Sequence, residues 1–294
     1  MDELKHPTNW LELNKSLLDV GSDEKQTKAI FDWSKKNVET YAENLKSLSG
    51  YCFFIGYPRS GHSLIGSLMD AHPEMVIAHE AHVLQLLDAG FDRDQITFLL
   101  LENSRLFAKS GRTWNSYNYS IPDQWQGKFR SLRIVGDKRG GGTSRWIAKS
   151  PNLLDRMIAE FTPGVKFIHV IRNPFDTLAT MKLKQVNLSL LSEARRHFFR
   201  RCRTNSAIRS RLPAGQVLDI YHEDFVADPR SQLKRLCSFL GVLASPEYLD
   251  ACASIVFEKP QRSRHDIEWT HINVKRVERQ IRQFDFLKRY AFDK

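Results

Sequence analysis

Residues 53–63 read FFIGYPRSGHS, and they mark the junction of a strand pattern with a helical pattern. An apolar run leads into a loop bracketed by Gly56 and Gly61, and a helical pattern follows the loop. Glycines allow the tight turn in which backbone N–H groups converge on an anion at a helix start. The spacing G-x-x-x-x-G-x-S is that of a P-loop, with His62 where a nucleotide triphosphatase carries lysine. Arg59 adds a permanent charge. The stretch predicts a phosphate-binding loop, with an ordinary strand-to-helix turn as the alternative.

The composition is that of a folded protein with an excess of positive charge. A chain of 294 residues, 41% hydrophobic and 27% charged, favours one large globular unit. The net charge of +10 favours anionic partners such as nucleotides, sulfated or phosphorylated acceptors, nucleic acids or acidic membranes. The cysteines are far apart and form no C-x-x-C pair, which indicates a reduced compartment rather than a zinc site or disulfide framework. We find no leader pattern and no apolar run near the length of a membrane span, and we expect a cytoplasmic protein.

Strand and helix patterns alternate along the chain. Residues 51–57 and 165–171 are nearly continuous apolar runs, typical of strands buried on both faces of a parallel sheet, and residues 216–221 form a weaker third. These patterns predict a three-layer, P-loop-like α/β fold in which helices flank a mainly parallel central sheet. Ligands then bind at the carboxyl ends of the strands. Residues 1–50 are predicted to form a helical cap on a domain of residues 51–294, within one globular unit.

The second strand ends in a further anion-binding pattern. Arg172-Asn173-Pro174 follows it, and a proline near a helix start fixes the exit of the chain. Thr180 then lies about two turns along that helix, and Lys184 about one turn further on the same face. We expect Arg172 and Thr180 to hold one phosphate at the edge of the sheet.

Together these segments resemble the sulfotransferase family that uses 3′-phosphoadenosine 5′-phosphosulfate (PAPS). Residues 57–63 match the family's 5′-phosphosulfate loop, and residues 170–176 with Thr180 match its 3′-phosphate segment. Residues 222–229 are similar to its Y-E-D-L-V-x-D-P element, and residues 262–264 with Trp269 to the basic loop that closes over the cofactor. Matches in order from about residue 50 to 290 are far more specific than any single motif.

The resemblance implies sulfuryl transfer from PAPS to a hydroxyl acceptor, with 3′,5′-ADP (PAP) as the product. By analogy with phosphoryl transfer, the reaction needs positioning, charge stabilisation and a base, and no bridging metal. Two departures are His62 for the usual Thr and His222 for the usual Tyr, beside Tyr221. The predicted donor contacts are Arg59, Ser60, Gly61, His62, Ser63, Arg172, Thr180, Tyr221, Arg262, Ser263 and Arg264.

For the base the resemblance favours Glu80, which follows an apolar strand pattern at residues 75–78. In the tyrosylprotein branch of the family a glutamate at this distance from the P-loop arginine deprotonates the acceptor. We expect partial burial to raise the pKa of Glu80 toward working pH. The alternative is that Glu80 lies in the first turn of the next helix and stabilises that helix through its dipole. The competing bases are His62, His79 and His82.

Beside Arg59, a lysine is expected to stabilise the leaving group. Lys149, in Ala-Lys-Ser-Pro, matches the family's K-[ST/D]-P element, and Lys138, in Gly-Asp-Lys, is its rival. We prefer Lys149 because a helix start follows it at once. The glycines at 140–142 predict a loop.

Other readings of the sequence remain open. One is a P-loop kinase that uses ATP, against which stands the missing lysine. The arginines of residues 195–203 fit a nucleic-acid surface, a solvated helix face, or a site that attracts an anionic acceptor. No motif in residues 85–145 identifies the acceptor, for which we expect a small molecule or glycan. The aromatic residues at 114, 117, 119 and 125 fit packing better than a pocket lining.

Overall fold

The computed structural model describes residues 7–184 and 190–293. Its central sheet has five strands in the order β2-β5-β1-β6-β7, and every neighbouring pair is parallel. A two-stranded hairpin, β3-β4, stands apart from it. The strands are β1 (Gly50–Ile55), β2 (Met75–Ala78), β3 (Thr113–Trp114), β4 (Tyr117–Asn118), β5 (Ile134–Asp137), β6 (Val165–Ile171) and β7 (Val217–Tyr221).

Helices connect and cover these strands. Short 3-10 turns at Val38–Tyr41, Ser263–Asp266 and Asp285–Leu287 complete the described secondary structure. The α-helices are α1 (Trp10–Asp19), α2 (Glu24–Asn37), α3 (Ala42–Leu45), α4 (His62–Asp70), α5 (Val83–Asp88), α6 (Arg93–Lys109), α7 (Gly140–Lys149), α8 (Asn152–Glu160), α9 (Pro174–Lys184), α10 (Leu191–Arg211), α11 (His222–Ala227), α12 (Pro229–Leu240), α13 (Pro246–Ser254) and α14 (His271–Ile281).

Alternation along β1 shows how the three layers form. Tyr51 and Phe53 point into a core shared with α1, α2 and α6 to α8. Cys52 and Phe54 point the opposite way, into a core shared with α4, α12 and α13. Successive side chains of a strand face opposite sides, so a strand covered on both faces is apolar throughout. The predicted α/β architecture is confirmed.

A third apolar cluster lies beyond the carboxyl end of β6. It joins α9, α10, α14 and the carboxyl-terminal residues around Phe175 and Phe198. This cluster fixes α9 and α10 beside the sheet edge at which the parallel strands end.

The amino-terminal helices share the main core. Trp10 packs against His79 and Phe107, with ring centroids 5.5 and 4.8 Å apart. The Gln85 side chain donates hydrogen bonds to the backbone carbonyls of Leu18 and Val20. The cap therefore rests against the loop that follows β2.

Two further observations concern the described chain as a whole. All four cysteines are buried free thiols. Within residues 7–184 and 190–293, no helix combines the length and the apolarity that crossing a bilayer requires.

Candidate active site

A cleft of about 690 Å³ opens at the carboxyl ends of the parallel strands. Its volume lies within the range of about 300–1,000 Å³ that is typical of small-molecule sites. Parallel α/β sheets place their ligands at this edge. The loop after β1, the residues after β2, β5 and β6, and the segment 255–261 contribute to its walls.

The loop after β1 has the backbone of an anion cradle. Arg59 and Gly61 have positive φ angles of 68° and 103°, and Gly61 is the N-cap of α4. A Cβ atom at Gly61 would lie 2.6 Å from Nδ1 of His222, so only glycine fits. The amino-terminal N–H groups of α4 therefore border the cleft together with the side chain of Ser63.

Ser60 and His62 brace this loop from within the protein. The hydroxyl of Ser60 lies 2.9 Å from Nδ1 of His62 and 3.0 Å from the carbonyl of Tyr57. Nε2 of His62 lies 3.3 Å from the carbonyl of Ile55. Burial lowers the pKa of His62 to about 3, so the ring is neutral. His62 borders the cleft, but both its ring nitrogens face protein groups, which explains a histidine in place of the family's threonine.

Lys138 joins the P-loop to the predicted base. It follows β5, and its Nζ donates hydrogen bonds to Oγ of Ser63 at 2.8 Å and to Oε1 of Glu80 at 2.9 Å. The Lys138 side chain is 3% exposed and that of Glu80 31% exposed. The cation is thus enclosed, while the carboxylate reaches the cleft.

The electrostatics of Glu80 differ from the expectation. Burial acts to raise its pKa, but Lys138 and Arg139 together outweigh burial and hold the pKa well below its ordinary value. Arg139 donates to Oε2 of Glu80 at 3.0 Å and also contacts Nε2 of His82. The expected rise in pKa is wrong because the sequence does not reveal that two cations flank this carboxylate. Nor is Glu80 a first-turn acid, since α5 begins at Val83.

Of the histidines considered as bases, His79 and His82 lie outside the cleft lining. The ring of His79 is buried between Trp10 and Phe107, and burial holds its pKa well below the ordinary value. Burial and then Arg139 lower the pKa of His82 to about 3. Of the candidates, Glu80 has the accessible proton-accepting atoms.

The structure does not bring Lys149 to the cleft. Lys149 is the last residue of α7, exposed, with its ammonium 4.9 Å from the ring centroid of Trp146. At a rise of about 1.5 Å per residue it lies about 13 Å along the helix from Gly140, which borders the cleft. The preference for Lys149 over Lys138 is corrected: the lysine beside the P-loop is the one that follows β5.

The expected loop at residues 140–142 is the first turn of α7. A Cβ at Gly140 would lie 2.3 Å from Nε2 of His62, and one at Gly141 would lie 3.3 Å from Cδ of Pro58. The glycines let the helix approach the P-loop closely rather than keep the chain irregular.

Arg172 ties the P-loop to the carboxyl-terminal segment. Its guanidinium donates to the carbonyl of Arg59 at 3.1 Å, to that of Gln261 at 2.7 Å and to Oγ of Ser263 at 3.4 Å. Its Nε is buried and has no hydrogen-bond partner within the described residues. Thr180 also lines the cleft, and its hydroxyl donates to the carbonyl of Asp176 at 2.8 Å.

All three predicted contacts in the carboxyl-terminal segment lie outside the cleft lining, and Ser263 is buried, where it accepts a hydrogen bond from Arg172. Arg264 is buried against Asp176, with Nε–Oδ1 and NH2–Oδ2 distances of 3.0 and 2.8 Å, so it supports the fold and does not face the cleft. Arg262 is exposed and outside the cleft lining. The cleft is lined instead by Lys259, Pro260 and Gln261. The motif located the segment but not the side chains that face inward.

Tyr221 also lies outside the lining. Its ring packs under the guanidinium of Arg289 at 4.5 Å, while His222 borders the cleft. The change from a strand at Tyr221 to a helix at His222 determines which side chain points inward. His222, which stands at the family's usual Tyr position, therefore borders the cleft, and the adjacent Tyr221 does not.

The β3-β4 hairpin forms another wall. Trp114, Tyr117 and Tyr119 line the cleft, contrary to the expectation of packing alone. The ring of Tyr117 lies 6.3 Å from that of Phe257 and 5.9 Å from Nζ of Lys184. Trp125 lies outside the lining and packs against Lys128.

Sequence reasoning missed several polar residues of the lining. Three of them lie in α7 or on one face of α10, one is the N-cap of α7, and two lie in the segment 255–261. A helical spacing in the arginine-rich segment is the signal that predicts two of them on one face. These residues are Arg139, Arg145, His197, Arg201, Lys259 and Gln261, of which Arg201 is one of the arginines of residues 195–203 for which an anion-attracting site was one alternative.

Comparison with known proteins identifies relatives. A model of the sulfotransferase family matches residues 52–246. The chain is 24% identical to protein-tyrosine sulfotransferase A of Caenorhabditis elegans over 209 residues, which are 66% of this chain and 50% of that protein. It is 23% identical to the protein-tyrosine sulfotransferase of Drosophila melanogaster over 235 residues, 73% of this chain and 44% of that protein. The chain thus spans about half the length of these relatives or less.

A solved structure shares the fold. The sulfotransferase domain from the curacin biosynthetic pathway superposes with a TM-score of 0.52 at 18% identity, covering 80% of this chain and 97% of that domain.

Proposed function

Because the chain belongs to the sulfotransferase family, we propose that it transfers a sulfuryl group from PAPS to an acceptor hydroxyl. The observation that carries this proposal is the position of Lys138, which contacts Ser63 of the P-loop and Glu80 at once. A donor-binding loop, a cation and a carboxylate then share one cleft. These are the parts that an in-line displacement needs.

The residues of the cleft suit a donor with two separate anionic groups. The amino terminus of α4 and Ser63 provide for the 5′-phosphosulfate. Arg172, Thr180 and Lys184 provide for the 3′-phosphate, and the unpartnered Nε of Arg172 leaves one donor for an anion. Apolar surface for the adenine of the donor comes from Val226, Ile255 and Phe257. When bound, PAPS supplies an activated sulfuryl group on a good leaving group.

The chain's own groups divide the remaining work. Glu80 accepts the proton of the acceptor hydroxyl as its oxygen attacks sulfur. Lys138 stabilises the charge that develops on the 5′-phosphate oxygen as the sulfur–oxygen bond breaks. PAP and the sulfated acceptor are the products.

A carboxylate with a strongly lowered pKa is a weak base, and Lys138 accounts for most of the lowering. Lys138 is drawn toward the anion when the P-loop is occupied, because Ser63 and Glu80 share its ammonium group. Loss of that partner raises the pKa of Glu80. The base is thereby strengthened only in the donor complex.

For the acceptor we propose a hydroxyl, with a tyrosine phenol as the first class to test. The relatives that match most of the chain are named protein-tyrosine sulfotransferases, and aromatic side chains of the β3-β4 hairpin line the cleft. A small molecule or glycan remains the second class.

An ATP-dependent phosphotransferase has less support. The position of the Walker lysine is taken by His62, whose ring braces the loop.

The test compares the thermal stabilisation of the protein by PAP with that by ATP and Mg²⁺. We expect PAP to raise the melting temperature and ATP with Mg²⁺ to have little effect, because only a ligand of the native state stabilises it. Stabilisation by ATP with Mg²⁺ alone contradicts the proposal. Transfer of labelled sulfate from PAPS to phenols, sugars and alkyl alcohols then identifies the acceptor class.

A further inference from the structure

Three cationic or titratable side chains on α7 and α10 line the cleft without a role in donor binding. We call this group, Arg145, His197 and Arg201, the basic subsite. His197 and Arg201 lie one turn apart on one face of α10, and α7 packs beside that helix. The donor groups proposed above lie on other elements: the P-loop, Arg172 after β6, α9, α11 and the segment 255–261.

Arg201 is the strongest indication that this group binds a ligand. It is only 5% exposed, yet its Nε has no hydrogen-bond partner, and no ion pair reaches its guanidinium from any residue the structure describes. A buried charge is normally paired, because burial without a partner costs far more than burial of a neutral group. Nδ1 of His197 is also buried, and it has no hydrogen-bond partner among the residues that the structure describes.

The local charge is positive and uncompensated. Burial, then Arg200 and Arg145, lower the pKa of Arg201 to about 10, so it remains charged at neutral pH. Burial, then Arg201, Arg200 and Arg145, lower the pKa of His197 to about 4, so it is neutral. Within residues 7–184 and 190–293, no carboxylate is among the groups that shift either pKa.

The subsite is continuous with the predicted base. Arg145 lies near enough to Arg139 and His82 to lower the pKa of each, after burial and nearer charges. Arg139 in turn donates to Glu80. Positive side chains therefore lead from Glu80 through Arg139 and Arg145 to Arg201 along one wall of the cleft.

We propose that the basic subsite binds an anionic group of the acceptor, a carboxylate, sulfate or phosphate, while the acceptor hydroxyl lies at Glu80. This inference rests on the proposed function. The anion completes the hydrogen bonding of Arg201, with Arg145 as a second, more exposed cation. Guanidinium groups suit such oxyanions because they donate in a planar fork.

The experiment uses calorimetric titrations of the protein saturated with PAP, so that the donor site is filled. The ligands are 4-hydroxyphenylacetate, 4-hydroxyphenylacetamide and inorganic sulfate. The first two share a phenol and differ in charge. We expect the acid to bind at least about tenfold tighter than the amide, as a charged hydrogen bond implies, and sulfate to compete with the acid.

The variants Arg201→Gln and Arg145→Gln are expected to remove that preference, and Arg196→Gln, an exposed arginine of the same helix, to retain it. Arg145 is exposed, so its variant tests the subsite even if Arg201→Gln does not fold. Equal binding of acid and amide, binding of neither, or a preference that persists in both variants overturns the proposal. If sulfate binds but 4-hydroxyphenylacetate binds no tighter than its amide, the subsite binds a free anion and not the acceptor, and the proposal is overturned. Failure of the wild-type protein to bind PAP, measured first, contradicts the proposed function instead.

Discussion

Lys138 and Glu80 form an ion pair of 2.9 Å in which the cation is enclosed and the carboxylate is partly open to the cleft. Because Lys138 also donates to Ser63, the position of the carboxylate is linked to the P-loop. In the proposed mechanism, donor binding and proton acceptance are coupled through this one side chain.

Replacing Glu80 with Gln is expected to lower kcat by about 10²- to 10⁴-fold, because the amide cannot accept the acceptor proton. The affinity for PAP should not fall, since Glu80 lies on the acceptor side of Lys138 and its removal leaves that cation free for the anion. Steady-state kinetics and calorimetry with PAP measure the two effects separately. Glu268→Gln, on an exposed residue, is the control. Wild-type turnover in Glu80→Gln excludes Glu80 as the base.

Two lysine variants distinguish the structural assignment from the sequence-based one. Lys138→Met should abolish most sulfuryl transfer, because it removes the cation beside both Ser63 and Glu80. Lys149→Met should retain nearly all activity, because Lys149 is exposed at the far end of α7. Melting temperatures show whether each variant folds. If Lys149→Met loses more activity than Lys138→Met, Lys149 is the lysine that stabilises the leaving group.

The lysines also show how far sequence reasoning reaches. Apolar runs at 51–57 and 165–171 identified buried parallel strands, because such strands are apolar on both faces. The P-loop, Arg172 and Thr180 followed because strand ends and helix starts fix their positions. Lys138 and Lys149 both sat in plausible motifs, and only the course of β5 and α7 places one of them at the cleft.

Arg264 and Glu80 mark a second limit. A basic motif does not reveal that Arg264 is paired with Asp176, a residue distant in sequence. In the same way, the low pKa of Glu80 depends on Lys138 and Arg139, which follow a different strand. Long-range pairing sets both the direction of a side chain and its charge state, and local patterns do not encode it.

Arg172→Ala should weaken PAP binding by roughly 10- to 100-fold, through the loss of charge-assisted hydrogen bonds to the anion. Arg172→Lys keeps the charge but not the bridge from Arg59 to Gln261, so an intermediate affinity is expected. Arg262→Ala should bind PAP like the wild type because Arg262 is exposed outside the cleft. Calorimetric titration measures all three. If Arg262→Ala weakens PAP binding more than Arg172→Ala does, Arg262 and not Arg172 is the donor contact.

Asp137 provides a test by pH. Burial raises its pKa to about 6, although Oδ1 accepts a hydrogen bond from the backbone N–H of Ala81 at 3.1 Å. With an unfolded pKa of about 3.9, the protonated form favours folding fully below that pH, and this contribution is lost as pH rises through about 6. Asp137→Asn should therefore melt above the wild type at pH 8, with a difference that closes between about pH 6 and 4. A difference independent of pH contradicts the raised pKa.

The packing of His62 against α7 predicts a coupling between two positions. An alanine at Gly140 brings its Cβ to 2.3 Å from Nε2 of His62, and the imidazole is held by Ser60 and Ile55, so it cannot move freely. Gly140→Ala alone should cost about 1–3 kcal/mol of unfolding free energy through overpacking. His62→Thr alone should also destabilise, because it leaves a cavity beneath the P-loop. In the double variant the added methyl group enters that cavity, so we expect a loss smaller than the sum by at least about 0.5–1 kcal/mol. Urea unfolding of the four proteins measures the cycle. Additive losses would show that the two positions are energetically independent and that His62 is not what requires glycine at 140.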